Sequence, residues 1–175
     1  MSLSLRAAVM FRLTELLETV SVADGYVNNL QGRVRRGVKL STAPEDGKPV
    51  VALLEPPVPS DPLGQGTVQS TVQRHSDWGV LIQAIAADDL DNPTDKLYDL
   101  LADIRRVLAE ETRRASKGGG HNGFLQMGRS VTGVKIGTGF VVPTDKGAGA
   151  TAFCYQDIYF TMEENLIAPY AWSQD

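Results

Sequence analysis

The stretch NPTDKLYDLLADIRRVLAE, residues 92–110, constrains the fold of this chain more than any other. Leu97, Leu100, Leu101, Ile104, Val107 and Leu108 recur at helical spacing and form one continuous apolar stripe. A helix with such a stripe must bury it against another layer. Asn92 is placed to cap this helix, Pro93 to occupy its first position and Asp95 to sit near its positive end. What covers the stripe is decided by the neighbouring segments, and these read as strands arriving in groups.

Upstream, VVALLE (50–55) is a short apolar run bounded by prolines, as a buried strand is. TVQSTVQRH (67–75) alternates valine with polar residues, and WGVLIQAIA (78–86) is apolar on both faces. The dipeptide SD between them reads as a tight turn or bulge, which makes the two an antiparallel pair. Downstream, SVTGVKIGTGFVVP (130–143) and ATAFCYQDIYFTM (150–162) flank the turn sequence TDKGAG and read as a hairpin of β-branched and aromatic residues. A further helix opens the chain: Leu5, Val9, Leu13, Leu16, Leu17 and Val20 share a face, Ser2 or Ser4 is placed to cap it, and ADGY (23–26) ends it. Strands grouped between two helices predict an α+β fold, a mostly antiparallel sheet with two main helices packed on it and long loops.

The 175 residues suit one domain. We assign 1–164 to it and read NLIAPYAWSQD (165–175) as an apolar C-terminal tail. PPVPSDPLGQG (56–66) is too rich in proline for regular structure and reads as an extended loop or arm. The charged residues Arg6, Arg12, Glu15 and Glu18 interrupt the opening apolar residues, so the start reads as a helix of a soluble, cytoplasm-made protein and not as a secretory leader or membrane span.

Catalytic and ligand-binding motifs are scarce. SKGGGHNGF (116–124) has the glycines of a phosphate loop, but it closes a helix, whose carboxyl end repels anions. It also lacks the Lys-Ser/Thr pair that would follow the last glycine of a Walker loop. His121 has only His75 as a fellow histidine, with no shared motif, so the loop reads as a connection in which Gly118 takes the left-handed stop. Cys154 lies in an apolar strand pattern and reads as a buried, inert thiol. No nucleophile elbow, metal-ligand spacing or cofactor motif occurs, and the sequence predicts a protein that is not an enzyme.

Three surfaces remain. GRVRRGVK clusters Arg33, Arg35, Arg36 and Lys39, either as a solvated strand edge or as a basic patch facing an acidic partner. Asp95, Asp99 and Asp103 recur every four residues and read as an outward row on the second helix, preceded by Asp88, Asp89 and Asp91. The tail carries Leu166, Ile167, Tyr170 and Trp172, which either fold back on the chain's own sheet or anchor in an adjacent copy. A net charge of -4 argues against general affinity for nucleic acid.

The order LRAAVMFRLTELLETV, VVALLEPP, WGVLIQAIA, NPTDKLYDLLADIRRVLAE and ATAFCYQDIYFTM resembles that of the tail terminator, or tail completion, proteins of long-tailed bacteriophages and related contractile tails. The resemblance spans nearly the whole chain and rests on the order and spacing of elements. It implies a structural virion protein, assembled in the host cytoplasm, that caps the tail tube as a hexameric ring. Such a ring ends tube polymerisation and joins the tail to the neck and head. Implied partners are the tail tube protein, a neck or connector protein and the sheath. DNA would pass without specific binding, through a lumen to which Asp95, Asp99 and Asp103 would supply acidic charge. Arg33, Arg35, Arg36, Lys39, Tyr170 and Trp172 would then lie at subunit or partner contacts. Other readings stay open from the residues alone: a head–tail connector or neck protein, a small enzyme built on His121 and the acidic helix, or a nucleic-acid module built on Arg33–Lys39.

Overall fold

The computed structural model describes residues 2–55, 73–86, 89, 91–117, 123–127, 130–144, 151–170 and 172–173. It is an α+β fold: two helices lie on one face of a mixed, mostly antiparallel six-stranded sheet. Among the described residues no helix is long and apolar enough to cross a membrane.

The chain opens with strand β1 (Ser2–Leu3) and helix α1 (Leu5–Glu18). Ser4 caps α1, its hydroxyl accepting the Ala7 N–H at 3.4 Å. The stripe expected of this helix is the face it buries, with Ala8 added to it. Gly25 ends the following 3-10 turn at φ 80°, a left-handed conformation that glycine adopts without a Cβ clash. Strand β2 (Val34–Arg36) pairs parallel with β3 (Val50–Leu54).

Strand β4 (Gln73–Ile85) corrects the expected hairpin across SD. It runs unbroken through Ser76 and Asp77, and its partners are β3 on one side and β7 (Phe153–Asn165) on the other. Asp77 stays in the strand because it faces outward opposite Thr161, whose hydroxyl donates to Asp77 Oδ1 at 2.7 Å. Helix α2 (Asp95–Lys117) also begins later than Asn92 and Pro93 imply. Thr94 supplies the first helical carbonyl, accepting from Leu97 and Tyr98, while the Asn92 carbonyl closes a separate turn onto Asp95. Every apolar residue of the α2 stripe named above is buried.

Strands β5 (Val131–Ile136) and β6 (Phe140–Val142) both pair with β7, as the predicted hairpin requires, but as two pieces with a break at 137–139. The sheet order is β2-β3-β4-β7-β5, with β6 beside β7. Last, β8 (Trp172–Ser173) leaves the main sheet and pairs antiparallel with β1. The core lies between helices and sheet: Val51, Leu53, Val80, Ile82, Ile158 and Phe160 face the stripes of α1 and α2. Burial of this kind contributes roughly 1.5–3 kcal/mol per large apolar side chain. Residues 56–66 and the stretch 118–122, with Gly118 and His121, lie outside the described residues, as do residues 67–72 and Asp88.

Candidate assembly surfaces

Four polar side chains are buried among the described residues, and each holds the backbone of a connecting segment. On α2, Asp103 Oδ2 accepts from the Val27 N–H at 3.0 Å, the Asn28 N–H at 2.8 Å and Asn28 Nδ2 at 2.9 Å. Two turns on, Glu111 Oε1 accepts the Phe124 N–H. In the sheet, Gln83 takes the Leu40 N–H on Oε1 at 2.9 Å and returns a bond from Nε2 to the Leu40 carbonyl at 3.2 Å. Gln156 Nε2 donates to the Gly137 carbonyl at 2.9 Å, filling the break between β5 and β6. A buried polar group without a partner costs about 1–3 kcal/mol, so these pairings fix the loops while satisfying every one of these side chains except Gln156, whose Oε1 is left without a hydrogen bond.

Asp103 is therefore not part of an outward acidic row. A four-residue step on an α-helix overshoots a full turn by about 40°, so two steps carry Asp103 about 80° round from Asp95. Asp95 and Asp99 remain exposed, and Asp103 reaches the buried flank. Asp89 serves the turn ahead of α2, accepting from the Asp91 and Asn92 N–H groups, which hold its carboxyl below the usual range.

The basic segment also divides. Arg33 is committed within the chain: Nη1 and Nη2 each meet Asp46 at 2.9 Å, and Nε donates to the Pro49 carbonyl at 3.1 Å. This clamp holds the 42–49 loop against the start of β2. Asp46 is kept below the usual carboxylate range, first by the Lys48 backbone N–H and then by Arg33. Arg36 lies over the Phe11 ring at 3.5 Å from its centroid. Arg35, Arg36 and Lys39 are all exposed.

Beside the carboxyl end of α1, Arg106 joins α2 to the loop at 25–26. It donates to the Gly25 carbonyl at 2.8 Å and to Glu110 at 3.0 Å, and it lies over the Tyr26 ring. The Arg106 hydrogen bond holds Glu110 below the ordinary carboxylate range, while burial and then the Glu110 charge raise the Tyr26 phenol. A groove of about 370 Å³ runs here between Leu16, Tyr26, Val107 and Arg114.

The face of the sheet away from the helices carries Phe140 stacked on Tyr155 at 5.3 Å, with Phe153 beside it. At the other end of β7 the chain turns through Leu166, Ile167 and Tyr170, all exposed, before β8. The tail folds back within the chain, but onto the N-terminal strand and not onto the main sheet. Cys154 is buried, and loss of solvation pushes its thiol up to about 12, in line with an inert core cysteine. Among the described residues no three His, Cys, Asp or Glu side chains converge as a metal site would need.

No family model matches this sequence, and no curated protein matches it.

Proposed function

We propose that this protein is a structural subunit of a phage virion that caps the tail tube as a hexameric ring, ends tube growth and joins tail to neck. Two lines support the reading. The order of elements resembles that of the tail terminator proteins, and the buried polar side chains fix connecting loops. Loops fixed in this way suit contact with other proteins, because little conformational entropy is left to lose on binding. The observation that carries the proposal is the apolar turn at Leu166, Ile167 and Tyr170, presented to solvent at the end of an ordered strand. Apolar surface gathered at one end of a fold marks a protein contact. In a ring, this patch on one copy meets a different patch on the next, a heterologous contact that closes by rotation. Arg35 and Lys39 would face acidic surface on a partner, and Asp95 and Asp99 would line the channel and repel DNA phosphates.

The test is to add the purified protein to tail tube protein as it polymerises. The proposal expects shorter tubes, each bearing a ring at one end. Tubes whose length distribution is unchanged at saturating protein would overturn it.

A further inference from the structure

β1 and β8 form a two-stranded sheet of their own, with Ser2 opposite Ser173 and Leu3 opposite Trp172. The Ser2 hydroxyl also donates to the Tyr170 carbonyl. Upstream of this latch the chain is anchored firmly. Arg6 pairs with both Glu164 carboxylate oxygens, at 3.0 and 3.2 Å, which ties the end of β7 to α1. Asn165 Oδ1 then accepts the Ile167 and Ala168 N–H groups and turns the chain away from the strand. Beyond that turn the packing is poor: Leu166, Ile167 and Tyr170 are 50%, 74% and 68% exposed. The segment spans a cleft of about 190 Å³, lined by Ser4, Leu5, Ser130, Glu164, Leu166 and Pro169, without filling it.

We propose that β8 is exchanged between copies in the assembled ring, the tail of one subunit laying its β8 against β1 of the next. The inference rests on the ring reading above. Its occupant is a second copy of this chain, because the strand that fits β1 is already seen in the intrachain register. Identical chains offer identical β1 edges, so the exchanged pair has the same partners and the same backbone bonds as the closed one. Leaving the chain's own β1 gives up a two-residue pairing that is regained on the neighbour. The new contribution is burial of Leu166, Ile167 and Tyr170 between subunits, which the closed form leaves in water. The Arg6–Glu164 pair stays with the body, so the tail swings from a fixed point and the main sheet is undisturbed.

A disulfide placed across the pair reads which chain supplies β8. Leu3→Cys and Trp172→Cys are introduced in a Cys154→Ala background; directly opposed strand residues have Cα separations a disulfide can bridge. The variant is assembled on tail tubes, the ring is scored by imaging before oxidation, and the oxidised chains are run under denaturing, non-reducing conditions. We expect single internally linked chains from unassembled protein and a ladder of covalently joined chains from rings. Rings whose chains carry only internal disulfides, or none, would overturn the exchange and leave the ring reading standing. Absence of rings with the unsubstituted protein would overturn both. Truncation after Glu164 gives a second measure: the expected outcome is unchanged secondary structure with loss of the ring, and an undiminished ring would refute the exchange.

Discussion

Replacing Asp103 by alanine separates the two roles that an aspartate on α2 can have. The side chain is 5% exposed, and one of its oxygens takes three N–H groups from Val27 and Asn28. A hydrogen bond to a charged group contributes about 1.5–3 kcal/mol, and a buried donor left without a partner costs about 1–3 kcal/mol. Val27 is exposed and Asn28 half-buried, so water reaches part of the vacated site and the total falls well short of three full bonds. We expect Asp103→Ala to destabilise the fold by about 2–4 kcal/mol. Asp103→Asn keeps one acceptor oxygen without its charge and should cost about half as much. For a chain of this size 1 kcal/mol moves the midpoint by about 2–4 °C, so Asp103→Ala should melt roughly 5–15 °C lower. Asp99→Ala, on the exposed face of the same helix, should stay within about 0.5 kcal/mol of the parent. Urea unfolding gives the energies, and hydrogen exchange at the Val27 and Asn28 amides reports the anchor directly. If Asp103→Ala cost no more than Asp99→Ala and left those amides equally protected, the anchoring account would be refuted.

Three more outcomes follow from the same geometry. A Cβ on Gly137 would sit 2.0 Å from Asp157 Oδ2, so Gly137→Ala should lose about 1–3 kcal/mol. Asp157→Ala should restore most of that loss, because Asp157 Oδ1 is buried without a hydrogen-bond partner; a double variant as unstable as Gly137→Ala would contradict the close approach. Cys154 should resist a thiol reagent at pH 8 in the folded protein and react fully in guanidinium. Its folded pKa of about 12 lies above its ordinary 9.0, so the folded state keeps a proton that the unfolded state releases. That contribution is complete below pH 9 and declines as pH rises from there towards 12, which unfolding curves taken across that window should show. Arg33→Ala should loosen the 42–49 loop, read as faster proteolysis there with little change in the helical signal, since its side-chain hydrogen bonds go to Asp46, Lys48 and Pro49.

Much of the core was written in the sequence as period. The stripes of α1 and α2, and the alternation of Cys154, Ile158, Phe160 and Met162 along β7, need only the geometry of a helix and a strand to be read. The anchors were harder, yet they left a trace. Asp103 lies three residues after Leu100 and four before Val107, and Glu111 lies four after Val107, so both carboxylates sit in register with the apolar stripe. A charge in that position signals a partner on the opposing surface, but apart from the Asn28 side chain the partners here are backbone amides from connecting loops, which carry no side-chain signature. Gln83 and Gln156 are hidden in the same way, since each serves a main-chain break specific to this fold. The continuity of β4 through Ser76 and Asp77 depends on the facing Thr161, and the β1–β8 pair is too short for any alternation to show.

If, as proposed, this chain closes into a ring at the end of a tail tube, its mass must change between the free and the tube-bound state. Its mass by multi-angle light scattering, taken free and again after release from tail tubes, tests that most directly. We expect a closed species of roughly six times the 18.9 kDa chain in the released sample. A monomer in both samples, with no ring on the tubes, would contradict it.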